Sequence, residues 1–198
     1  TRYYIEASMS EPMVQAPANQ SKNDGSLWES PSPNDKPSGP FPSGPYRCAS
    51  HLGMFVTLFE LRDVQAKIDS LGVDSVEATL EAEAKNLGGY TVGLQCILTK
   101  DDQGEISASF VLCLSCGEWD TYMDWPFAKK LTVVLSHVDG LEKDIRLPIS
   151  ATDESDVIKK PAPGSCNKGH QSDPLSWKAI ESAGLVFNDT LYVNVELE

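Results

Sequence analysis

The stretch Tyr90-Thr-Val-Gly-Leu-Gln-Cys-Ile-Leu-Thr-Lys-Asp-Asp-Gln-Gly-Glu-Ile-Ser-Ala-Ser-Phe-Val-Leu-Cys-Leu114 decides the fold class. Tyr90, Val92, Leu94, Cys96 and Leu98 recur at every second position, which puts five apolar side chains on one face of a strand. Asp101-Asp-Gln-Gly104 has turn chemistry. From Ile106 the chain returns with Phe110, Leu112 and Leu114 on one face. A hairpin with a single apolar face needs another layer to cover it. With these faces as core, Cys96 points inward and Cys113 outward. Those two thiols are then not bonded to each other, because a disulfide needs Cβ atoms that are close and facing.

Further segments of the same kind flank the hairpin. Met54 to Leu61 is apolar and aromatic and closes at Arg62-Asp63; Leu131–Leu135 and Asp144–Ile149 read as strands; Leu185 to Glu198 ends with alternating Leu191, Val193, Val195 and Leu197. In Ser75–Lys85 composition and period disagree. Glu, Ala and Leu favour a helix, but Val76, Ala78, Leu80, Ala82 and Ala84 alternate with polar residues without a break, and the period argues for a half-buried strand. Ser176–Ala183 suits two helical turns with Ser176 as cap. The expectation is an all-β protein, an antiparallel sandwich of about seven or eight strands over residues 54–198. Residues 1–50 differ. Eight of the thirteen prolines lie between Pro12 and Pro45, and proline cannot donate to a sheet ladder. That segment reads as a proline-rich extended arm, with a short strand at Arg2–Glu6 ahead of it.

The 198 residues carry a net charge of −13, and no cluster of Lys and Arg suits a phosphate backbone. No run approaches the roughly 18 apolar residues of a membrane span. Neither nucleic acid nor membrane insertion is expected. Catalytic constellations are missing too: there is no H-E-x-x-H, no G-x-S-x-G and no Gly-rich phosphate loop. No catalytic residue, metal or cofactor is assigned. Cys113-Leu-Ser-Cys116 has C-x-x-C spacing but lacks a second pair of ligands, and His51, His137 and His170 are scattered. Asp153-Glu154-Asp156 reads as a solvated acidic loop without the calcium-loop pattern. Five cysteines (48, 96, 113, 116, 166) leave at least one without a partner in the chain. Sequons at Asn19 and Asn188 are candidate N-glycosylation sites and, with the cysteines, point to a secreted glycoprotein with disulfide bonds.

Two stretches are more specific. Gly117-Glu118-Trp119-Asp120, then Asp124-Trp125-Pro126-Phe127 leading into Leu131–Leu135, resembles the signature of the meprin-and-TRAF-homology (MATH) family. Asn188-Asp-Thr-Leu-Tyr-Val-Asn-Val-Glu196 resembles the family's last strand. Gly88-Gly89-Tyr90, Lys168-Gly169 and the Ser176–Ser182 helix fall where further family elements are expected. Pro126 fixes its own φ and biases Trp125 away from helix, while Trp125 and Phe127 supply apolar area to seal one end of a sandwich. Gly89, Tyr90, Glu118, Trp119, Asp120, Trp125, Pro126 and Phe127 are therefore expected to be structural.

The resemblance implies a non-enzymatic interaction module that binds partner chains, or neighbouring subunits of an oligomer, through a groove at a sheet edge and through the arm. Its groove candidates are Gln95, Ile97, Asp101, Ser155, Ser165 and Cys166. Gln95 and Ile97 stand where intracellular TRAF adaptors carry an Arg and a Tyr. The Gly-Tyr-x-Val-Gly start of the strand is closer to the extracellular, meprin-type branch. Tyr3–Ser8 and Leu27–Pro31 resemble elements of the MAM domains that precede MATH domains in meprins. An extracellular module is the expectation. A cytoplasmic adaptor for peptide tails, and a carbohydrate-binding or matrix protein stacking sugars on Trp28, Trp119 or Trp177, are the alternatives.

Overall fold

A computed structural model of the chain describes residues 44–72, 75–150 and 153–198. The expected strand at Arg2–Glu6, most of the proline-rich arm, the Asn19 sequon, Trp28 and the MAM-like stretches lie outside these residues. In chain order the elements are β1 (Phe55–Arg62), α1 (Val64–Asp69), β2 (Glu77–Leu87), β3 (Tyr90–Lys100), β4 (Ile106–Ser115), β5 (Leu131–Leu135), β6 (Ile145–Ile149), α2 (Ser155–Ile158), β7 (His170–Gln171), β8 (Leu175–Ser176), α3 (Trp177–Ser182), β9 (Val186–Phe187) and β10 (Thr190–Leu197).

The strands form two antiparallel sheets. One runs β1-β10-β5-β6 with β9 beside β10; the other runs β2-β3-β4-β7 with β8 beside β4. The expected all-β sandwich is what forms, since each alternating strand has one apolar face to bury. Phe59 and Leu61 of β1 and alternate residues of β5 and β10 meet the β3–β4 hairpin, whose Val92, Cys96, Leu98 and Phe110 are fully enclosed. Cys96 lies in that core and Cys113 on the opposite face, half-buried.

One end of the sandwich is closed by aromatic packing. Tyr90 meets Trp125 and Phe127 edge-on, with centroids 5.4 and 5.0 Å apart, the arrangement that suits ring quadrupoles. The Tyr90 hydroxyl donates to the Asp124 carbonyl at 2.9 Å and Trp125 Nε1 to the Asp120 carbonyl at 3.0 Å. The Trp125–Pro126 peptide bond is cis.

The segment before β1 is fastened to the first sheet. Arg47 pairs with Asp144 at 2.6 Å, each side chain 8 % exposed, and also donates to the His137 carbonyl at 2.8 Å. Asn194 on β10 donates to the Pro45 carbonyl and to Ser136 Oγ.

Strand β2 departs from its expected face. Leu80 and Ala82 face the core as the alternation requires, but Val76 and Ala84 are exposed. Ala82 pairs with Leu94 and Lys85 with Val92, so Glu83 and Ala84 together stand opposite Gly93. This β-bulge inverts the faces that follow. Lys85 then turns inward, its ammonium donating to the Leu58 carbonyl at 2.6 Å above the Phe59 ring, and Leu87 is buried.

Two pairs of substitutions test this arrangement in urea titrations. Ala82→Glu should cost about 1–3 kcal/mol while Ala84→Glu stays within about 0.5 kcal/mol; equal effects would mean an unbulged strand. Tyr90→Phe should cost about 1 kcal/mol for the lost hydrogen bond, and Tyr90→Ala about 3–5 kcal/mol.

Candidate functional site

The two sheets treat their outer faces differently. On the second sheet, β3 turns Thr91, Gly93, Gln95, Ile97 and Thr99 outward, and β4 turns Ser107, Ser109, Val111, Cys113 and Ser115 outward. Small and hydroxyl side chains dominate, so the face is shallow. Its larger apolar groups, Ile97 and Val111, are diagonal neighbours, because Ile97 is opposite Ser109 and Gln95 opposite Val111. The register continues across the sheet as Glu81, Gln95, Val111 and Gln171. Gln95 Nε2 donates to Glu81 Oε1 at 3.0 Å.

That row ends at β7, the broken margin of the sheet. Gly169 has φ +93°, and a Cβ there would lie 2.6 Å from Val111 Cγ1; glycine lets the chain settle close against β4. Ser172 N–H donates to the Phe110 carbonyl at 2.8 Å, and Ser172 Oγ accepts from Phe110 N–H at 3.0 Å. His170 pairs with Leu112 in the same register. Alternate residues of an antiparallel strand bond to opposite sides. Since His170 and Ser172 face β4, the N–H and C=O groups of Gln171 between them face away from the sheet. Asn167 anchors the preceding loop, its Nδ2 donating to the carbonyls of Val157 and Lys159 at 2.7 Å each.

The structure divides the expected groove residues. Gln95 and Ile97 lie on the face just described. Asp101 sits in the β3–β4 turn, its Oδ1 accepting from the N–H groups of Gln103 and Glu105. Ser155 is the exposed first residue of α2, and Ser165 Oγ donates to the Ala162 carbonyl at 2.8 Å. Cys166 bridges to Ser115. The ten residues from Ile106 to Ser115 extend about 30 Å, so the Asp101 turn and Cys166 lie at opposite ends of the hairpin. The residue in line with Gln95 at the margin is Gln171. Gln171, Val111 and Ser109 were missed by the sequence reading; the small, polar odd-numbered residues of Ile106–Ser115 were the signal for the latter two.

The signature residues divide as well. Tyr90, Trp125, Pro126 and Phe127 build the corner, and Asp120 Oδ2 accepts from Gly117 N–H at 3.0 Å. Glu118 and Trp119 are exposed, Trp119 leaning on Tyr122. Trp177 is no sugar platform: it is 4 % exposed and its Nε1 donates to Glu181. Asp156 pairs with Lys159 and Glu154 with Lys168, and among the described residues no group of three or more His, Cys, Asp or Glu is placed to hold a metal. Asn188 is exposed in the β9–β10 turn. All five cysteines carry free thiols.

The profile of the family described as TRAF/meprin, MATH domain matches residues 84–194. Among solved structures, TRAF5 of Notothenia coriiceps aligns with a TM-score of 0.55 at 17 % identity, covering 72 % of this chain and 72 % of that one. No curated protein matches the chain.

His170, at the head of the margin, is 6 % exposed, with Nε2 buried and without a partner among the described residues and its ring 5.5 Å from that of Phe127. Burial lowers its pKa below the ordinary 6.5. The unfolded chain therefore binds this proton more readily, so the contribution is full above about pH 6.5 and is lost as pH falls through the lower folded value. In urea titrations from pH 7 to pH 5 the wild type should lose up to about 1.4 kcal/mol per pH unit more than His170→Phe. Parallel profiles would mean an imidazole that charges freely in the folded state.

Proposed function

The chain belongs to the TRAF/meprin MATH-domain family, whose members are non-enzymatic protein–protein interaction modules, and on that premise we propose that it holds an extended segment of a partner protein along β7. The observation that carries the reading is the outward-facing main-chain unit of Gln171 on β7, in register with the half-buried Val111 of β4, with the half-buried Ile97 of β3 diagonal to Val111. A strand laid against β7 gains main-chain hydrogen bonds there, and an adjoining stretch of the segment that crosses the outer face covers Val111 and Ile97. Exposed Glu77, Glu81 and Glu83 of β2 bound the far side of the face, and the net charge is −13. The favoured segment has an apolar residue followed by Lys or Arg, and its association slows with added salt. The exposed sequon at Asn188 supports a secreted setting for this module, to be checked by the intact mass of the natural protein before and after N-glycan removal.

The test is selection of binding peptides from a random library on the full chain, followed by isothermal titration. Ile97→Asp and Val111→Glu should each weaken the selected peptides at least about tenfold, a loss of about 1.4 kcal/mol, with melting temperature unchanged. Amide signals of Gly169 and Gln171 should shift on binding. Peptides that bind both variants as tightly as the wild type would place the site elsewhere.

A further inference from the structure

The bulge in β2 and the turn that follows β4 enclose a hollow of about 650 Å³ at one end of the second sheet's outer face. Its floor is formed by Asn86 and Thr91, which pair across β2 and β3. The extra residue in β2 turns the small Ala84 outward beside them and sends Lys85 inward, where its ammonium is bound to the Leu58 carbonyl. Bulges commonly re-aim side chains in this way next to a site. The wall is the turn at Gly117–Asp120. Trp119 is 55 % exposed there and Tyr122, on which it leans, 81 %. Glu118 beside them is exposed as well.

A second carboxylate lies behind this wall. Asp120 is 4 % exposed, and its Oδ2 accepts from Gly117 N–H. Its Oδ1 is buried and has no hydrogen-bond partner among the described residues. That oxygen is aimed at the hollow between two lining residues: the Cβ that Gly117 lacks would stand 3.4 Å from it and would overlap Thr91 Oγ1. A buried carboxylate oxygen without a donor is costly, and its field is unmatched on that side. An exposed indole with one carboxylate beside it and another beneath suits a cation carried on an apolar stem. Among the described residues no group of three ligands is placed for a metal ion, and the hollow is open on its outer side, which suits a side chain delivered from a segment lying across the face.

We propose that this hollow receives a lysine or arginine side chain of a partner protein, with the stem on Trp119 and the charge held by Glu118 and the field of Asp120. The proposal rests on the reading of the chain as a protein-binding module, but not on β7 as the place where the partner's main chain runs. Thr91 lies four residues before Gln95 on β3, about 13 Å away, so the hollow and the Ile97–Val111 pair are separate contacts of one face.

The experiment titrates the full chain with Nα-acetyl-lysine N-methylamide, using the norleucine counterpart as the uncharged probe, and follows amide and indole N–H correlation spectra. The lysine probe should give saturable shifts at the Trp119 indole N–H and at the amides of Gly117 and Thr91, and the norleucine probe none at the same concentrations. Trp119→Ala and Glu118→Gln, both at exposed positions, should leave the melting temperature unchanged and each weaken the lysine probe about two- to fivefold, the worth of an exposed cation–π contact. Glu77→Gln should leave its affinity as it was. Shifts confined to Glu77, Glu81 and Glu83, an equal response to both probes, or no saturable shift overturns the proposal. Selected peptides that ignore Ile97→Asp and Val111→Glu would remove the β7 reading and leave these shifts in place, so the two failures are distinguishable.

Discussion

Strand β10 has both faces buried, and the rest of the molecule is arranged around that constraint. Leu191, Val193, Val195 and Leu197 fill the core, while Asn194 and Glu196 on the other face are 1 % and 6 % exposed. A polar side chain can be hidden only if its hydrogen-bonding capacity is met. Asn194 is satisfied by Pro45 and Ser136, and Glu196 by the guanidinium of Arg146. The Arg47–Asp144 pair clamps the segment that supplies Pro45. The buried polar side chains of this strand thus find their partners within the chain.

Long alternating strands were legible because their physics is local. Period two in β3, β4 and β10 assigned the correct inward residues, and the Trp125-Pro126-Phe127 corner was legible from the size of its rings. The β2 bulge was not, since one extra residue leaves the alternation of Val76 to Ala84 unbroken on paper. What defeats that alternation is Gly93 on the neighbouring strand together with a lysine whose stem can lie over Phe59. Helix α1 was missed for a non-local reason. Asp63 adopts φ +59° at its start, and the free N–H groups of Val64 and Gln65 are met by Asp189 from the far end of the chain.

The site was half legible. Gln95 and Ile97 sit on the open face because their strand was read correctly, and their neighbours Ser109 and Val111 follow from the same periodicity. Gln171 belongs to a two-residue strand, too short to carry any period, held by Ser172, Asn167 and the tight approach of Gly169. Asp101 and Ser165 have side chains that look available in a sequence but serve their own turns. Only the register across four strands shows that Asp101 and Cys166 stand at opposite ends of one hairpin.

The bulge at Glu83–Ala84 has a consequence for assembly. A sheet with two receptive margins can join copies of itself head to tail, and such contacts run on into filaments unless rotation closes them. In this protein the β2 margin is kinked by its extra residue, set with glutamates, and tied across to β1 by Lys85, features that discourage edge-to-edge pairing. The β2 margin is thereby a poor acceptor for a further strand.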